Sequence, residues 1–159
     1  MASQGFTLFH VVISLIGIFS GLVVVGGLIS GNRMPILTAV FLLFTIATSV
    51  TGYLFHNDHV TPAQIVGGLS LALLAIAATG YYVFRLGGIW RIAYAGSAVA
   101  ALYLNFFVLV VQSFLKVPQF HALAPKGTEP AFVITQGIVL LTFVVLGLVS
   151  IARFRPEPA

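Results

Sequence analysis

The residues best equipped for chemistry in this chain of 159 residues are its four histidines, His10, His56, His59 and His121. An imidazole can bind a metal, carry a proton or hydrogen-bond a carbonyl. His56 and His59 bracket Asn57 and Asp58, and imidazole with carboxylate suits zinc or copper. With help from His121 or His10, the group His56, Asp58, His59 and His121 is a candidate metal site, although its spacing is not that of a zinc motif. A haem b needs two facing imidazoles at similar depth, and His10 with His56 is the pair available for it. A quinone asks for less: an apolar slot and a His or Gln for its carbonyls. His10, Gln112 and Gln136, beside Phe106 and Phe107, would supply that. Each feature also has a plain structural reading. Histidines that end a helix at a wet surface need no ligand, and amides inside a membrane often tie one helix to the next.

Other chemistries are absent. The chain has no cysteine, which excludes disulfides, thiolate metal sites and iron–sulfur clusters. It shows no nucleophile with an adjacent base, no phosphate-cradling loop and no dinucleotide fingerprint. No carboxylate or lysine falls deep in an apolar stretch, and no stretch is paired with an inverted copy, which argues against ion-coupled transport. A non-enzymatic role is therefore the expectation.

The elements that must position these residues follow from composition. The chain is 60% hydrophobic and 6% charged, where a soluble domain carries about 25% charge. Its solvent must be lipid, and nucleic acid is excluded as a partner because its seven Lys and Arg are scattered. A helix needs about 20 apolar residues to cross a bilayer. Five stretches qualify: 6–30, 35–55, 62–84, 89–117 and 131–154. The expected fold is a single all-α transmembrane domain over 1–159. The first stretch is too long for a signal-peptide core and reads as a retained helix. The breaks carry helix-end chemistry. Gly31-Asn32 can close one helix and Pro35 open the next. Thr61-Pro62-Ala63-Gln64 reads as a capping box. Gly87-Gly88 ends span three, Pro118 stops span four, and Glu129-Pro130 opens span five with a carboxylate at the positive end of the helix dipole. The longest connection, 118–129, holds Phe120, His121 and Leu123, and is expected either to fold over the bundle mouth as a lid or to lie in the headgroups.

Charge sets the expected orientation. Arg33, Arg85, Arg91, Arg153 and Arg155 share one side, against Lys116 and Lys126 on the other. The positive-inside rule puts the first side in the cytoplasm, with the C-terminus, and the N-terminus outside. Tyr81, Tyr82 and Trp90 then lie at the cytoplasmic interface. All four histidines fall on the outer half. In span four, Asn105, Gln112 and Lys116 share one face. Span two carries a stripe of Thr38, Thr45, Ser49, Gly52 and His56, and span one a stripe of His10, Ser14, Gly17 and Gly21. The pair Gly17 and Gly21 is a small-xxx-small pattern that favours close helix packing. Counting depth along the helices brings His10, Asn105, Gln112, Lys116 and Gln136 into a candidate polar layer for a ligand.

The segment Leu102-Tyr-Leu-Asn-Phe-Phe-Val-Leu-Val-Val-Gln-Ser-Phe-Leu-Lys-Val-Pro-Gln-Phe-His-Ala-Leu-Ala-Pro125 resembles the end of helix four and the following loop in small multi-pass proteins of Gram-negative bacteria. The resemblance covers a minor part of the chain and brings no function. It implies a bacterial inner membrane and supports treating Asn105, Gln112, Lys116 and His121 as one unit. Three functions fit these readings. The first is a non-catalytic accessory subunit that packs on a larger membrane complex or on itself. The second is a haem- or quinone-binding protein with its site on the outer side. The third is a small channel or metal-ion carrier with His56, Asp58 and His59 at its mouth.

Overall fold

The computed structural model describes residues 3–55 and 59–156. Among these residues there are α-helices, one π-helical turn and no strand. Helices α1 (Gln4–Ser30), α2 (Pro35–Gly52), α3 (Pro62–Ala78, continued by the π-helical turn Thr79–Val83), α4 (Ile89–Lys116) and α6 (Pro130–Arg153) are long and apolar. Five helices are thus able to cross a membrane. A short helix, α5 (Pro118–Leu123), stands between α4 and α6.

Local sequence explains most of the ends. Gly31 adopts φ 78°, its N–H donates to the Leu28 carbonyl, and Asn32 N–H reaches back to Gly27. That is the Schellman closure, and it needs a residue that tolerates the left-handed region. At α3 the capping box is complete: Gln64 N–H donates to Thr61 Oγ1 (3.2 Å) and Thr61 N–H to Gln64 Oε1 (3.0 Å). Val117 is extended, as the residue before a proline should be, and Pro118 then starts α5 at its first turn.

Two connections differ from the expectation. Span three does not run helically to the Gly87-Gly88 pair. It widens into the π turn, and Arg85 and Leu86 take left-handed conformations (φ 49° and 64°) before Gly88 does (φ 53°). The reason is tertiary: the Leu86 side chain is buried, and its N–H donates to the Gly80 carbonyl at 2.9 Å. Between Pro118 and Glu129 the chain forms α5 rather than a lid. Phe120 stacks on Phe114 with centroids 5.7 Å apart, yet Phe120 stays 44% exposed and Leu123 60%. Much of both side chains is therefore left uncovered by the bundle.

Helix α4 is the centre of the bundle and packs against α1, α3 and α6, while α1 packs mainly on α2. The close approach of α1 depends on Gly17 and Gly21. A Cβ on Gly21 would stand 2.7 Å from Leu102 Cδ1 and 2.8 Å from the Phe41 ring, and one on Gly17 would stand 3.0 Å from Thr45 Oγ1. The small-residue pattern is therefore a packing device. Helix α6 lies at the edge and buries few residues, Phe143 and Ser150 among them.

Candidate functional site

A half-open cavity of about 80 Å³ lies among α1, α2, α3 and α4. His10 lines it from α1, Ser49 and Gly52 from α2, Gly67 and Ser70 from α3, and Asn105 from α4. Each residue arrives by helical spacing: Ser49 and Gly52 are three residues apart, as are Gly67 and Ser70.

The His10 ring is oriented by its neighbour on α2. Its Nδ1 is 2.8 Å from Thr51 Oγ1. The Thr51 hydroxyl has one hydrogen, and its shortest bond is the 2.7 Å contact to the Ala47 carbonyl. His10 Nδ1–H must then be the donor to Thr51, which leaves Nε2 as a free acceptor in the neutral ring. Phe55 stands edge-on to the imidazole with centroids 5.1 Å apart.

Asn105 is the unusual member. Its Nδ2 is buried and has no hydrogen-bond partner among the described residues. The same is true of Thr45 Oγ1. Both atoms lie against Gly17: a Cβ there would be 3.0 Å from Thr45 Oγ1 and 3.6 Å from Asn105 Nδ2. Leaving a buried polar group unpaired costs about 1–3 kcal/mol, so this pair is held in place by the packing around it. Other hydroxyls of α2 are satisfied on their own helix. Ser49 donates to the Thr45 carbonyl (3.0 Å) and Thr48 to that of Phe44 (2.8 Å).

The polar layer expected from sequence divides in two. His10 and Asn105 meet in the cavity. Gln136 lies on the other side of α4, where its Nε2 donates to the Phe107 carbonyl at 3.1 Å and its Oε1 is buried without a partner. Gln112 is partly exposed and Lys116 is exposed, and neither lines the cavity. Of the proposed metal ligands, His56 and Asp58 lie outside the described residues. His59 is exposed, and His121 Nδ1 donates to the Phe114 carbonyl at 3.2 Å, helping to finish α4. Among the described residues no three His, Cys, Asp or Glu side chains gather.

Two features escaped the sequence reading. Ser70 and Gly67 belong to the cavity wall; their spacing from Gln64 was a usable signal. At the opposite end of the bundle further polar contacts tie α2 and α6 to α4. Tyr94 OH and Thr38 Oγ1 are 3.2 Å apart, and Thr38 Oγ1 also donates to the Arg33 carbonyl at 3.2 Å. Arg91 Nη1 donates to the carbonyls of Ile151 (3.2 Å) and Phe154. These contacts close this end of the bundle.

Glu129 flanks α6, but its carboxylate turns back into the preceding loop, accepting from Lys126 N–H and Thr128 N–H at 3.0 Å each. Desolvation, the largest single influence, works to raise its carboxyl. The N–H groups of Lys126, Glu129, Thr128 and Gly127 outweigh that and hold it below the usual carboxylate range. A depressed folded-state value stabilises the loop above the unfolded value of roughly 4.3. The contribution is lost as pH falls through the folded value. Hydrogen-exchange protection at Lys126 and Thr128 is therefore expected to hold at neutral pH and to drop on acidification below the usual carboxylate range. Protection that stays constant down to the acid limit would show that the carboxylate does not organise the loop.

Comparison with protein-family models, with curated proteins and with solved structures finds no match to this chain. What the fold defines is the class: a multi-pass helical membrane protein.

Proposed function

We propose that the chain is a small, non-catalytic accessory subunit of a bacterial inner-membrane complex, with its N-terminus outside and its C-terminus in the cytoplasm. The observation that carries this reading is a surface groove between α4 and α6. It encloses about 260 Å³ and is walled by Gly96 and Ala100 of α4 and by Val144, Gly147 and Leu148 of α6. Small residues let transmembrane backbones approach closely. A groove of this size, larger than the ~150 Å³ that admits a benzene ring, takes bulky side chains from a helix of another chain. The described residues place little mass outside the spans, so the plane of the membrane is where they offer surface to a partner.

In mild detergent the protein is expected to run as a complex of fixed stoichiometry. Ala100→Phe, which fills the groove, should release it as a folded monomer. A parent protein that is monomeric in native membranes, or a complex indifferent to the substitution, overturns the reading. The charge asymmetry supports the orientation. A C-terminal reporter should be active only in the cytoplasm, and activity on the outer side would reverse it.

The redox reading is less well supported. The polar cavity has about half the ~150 Å³ that encloses a benzene ring, so it does not enclose a haem macrocycle or a quinone head. The second histidine of a haem pair, His56, lies outside the described residues.

A further inference from the structure

We propose that Arg153 and Arg155, at the end of α6, form a clamp for the phosphate of an anionic phospholipid whose acyl chains lie along the exposed face of that helix. The backbone builds the pair. Phe154 ends α6 in extended geometry (φ −70°, ψ 95°), and the residues on either side of an extended one point to the face opposite it. Phe154 is fully buried, its ring against Tyr94 with centroids 5.8 Å apart. Arg153 and Arg155 are accordingly both exposed. Hydrogen bonds hold the residue between them. Phe154 N–H donates to the Ser150 carbonyl at 2.8 Å, and the Phe154 carbonyl accepts from Arg91. The two guanidiniums therefore stand on a fixed anchor, and neither is engaged by another described residue.

The side-chain chemistry selects phosphate. Every arginine of the chain falls at this end of the bundle, and its two lysines, Lys116 and Lys126, fall at the other. A topology signal alone would accept either residue type. Arginine adds a planar fork of donors that grips a phosphate through two parallel hydrogen bonds, where lysine offers a point charge. Charge complementarity selects an anionic lipid over a zwitterionic one. The other end balances its lysines with Asp58 and Glu129, whereas Glu157 is the one acid at this end and lies outside the described residues. A choline or ethanolamine cation beside the phosphate would meet guanidiniums with no described carboxylate to offset them. Location selects a lipid over a soluble acidic partner. The pair stands at the end of a span, where a bilayer places its headgroups. Leu141, Val145 and Ala152 are exposed, share one face of α6 by helical spacing, and lead away from the pair as a path for acyl chains. None of the three lines the α4–α6 groove, so either proposal can fail without the other.

The test takes the full chain, stripped of lipid in a mild detergent, and reads lipid binding by native mass spectrometry. Phosphatidylglycerol is the anionic probe, and phosphatidylcholine with the same acyl chains is the zwitterionic one. The parent protein should bind phosphatidylglycerol about tenfold more tightly, the scale expected of two arginines at an anionic surface. Arg153→Gln combined with Arg155→Gln should bring the two lipids level, and because both side chains are exposed the fold should be unchanged. Lys116→Gln combined with Lys126→Gln should keep the preference. Inorganic phosphate should not displace the lipid, because it brings no acyl chain. Equal binding of the two lipids by the parent overturns the proposal. So does a preference that survives the double arginine substitution, or one lost equally in the lysine variant. Displacement by inorganic phosphate would assign the pair to a free anion, and displacement by polyglutamate to an acidic protein. Either result overturns the lipid assignment.

Discussion

Gly21→Ala is expected to destabilise the bundle by about 1–3 kcal/mol, the usual range for overpacking a filled core. The new methyl would land 2.7 Å from Leu102 Cδ1 and 2.8 Å from the Phe41 ring. Both neighbours are almost fully buried, so neither can swing aside without disturbing α2 or α4. The internal control is Gly26→Ala. Gly26 is exposed and a Cβ there meets nothing within 4 Å. That change should be neutral or slightly stabilising, since alanine orders a helix better than glycine by about 0.5–1 kcal/mol. Unfolding by titration with a denaturing detergent measures both. Equal stability of the two variants would mean that α1 does not approach α2 and α4 this closely.

Arg91→Met should loosen the end of α6. The last carbonyls of a helix lack partners within it. Arg91, from the first turn of α4, supplies two of them, at Ile151 and Phe154, and places a cation at the negative end of the α6 dipole. Hydrogen bonds to charged groups are worth about 1.5–3 kcal/mol. Arg91 is partly exposed, and water can replace some of the loss, so about 1.5 kcal/mol is the expected effect. Methionine keeps the length of the stem and removes only the donors. Because the chain has no cysteine, a single cysteine in place of Ile151 gives a clean readout: its thiol labelling should accelerate when Arg91 is replaced. Unchanged labelling and unchanged stability would show that α6 is held by its apolar contacts alone.

The comparison of these two sites shows where stability resides in such a chain. Both polar interactions and close packing act across α4, and α4 touches nearly every other span. A surface substitution on α6, which buries little, should be far weaker in effect.

The sequence by itself determined the five spans, because lipid accepts only long apolar helices with all backbone groups paired within them. It also determined the local ends: the Schellman closure at Gly31, the capping box at Thr61 and Gln64, and the break at Pro118 depend on a few adjacent residues. The packing role of Gly17 and Gly21 followed from their four-residue spacing, and so did the inward face of Asn105. Which polar groups meet was decided only in three dimensions. Depth along a helix can be counted from sequence at 1.5 Å per residue, and on that count His10, Gln112 and Gln136 looked equivalent. Rotation about the helix axis and the order of helices around the bundle cannot be counted in this way. They put Asn105 toward α1, α2 and α3, and Gln136 toward the opposite side of α4. The left-handed turn at Arg85 and Leu86 was hidden for a similar reason: neither residue prefers that conformation, and it is the burial of Leu86 beneath the bundle that compels it.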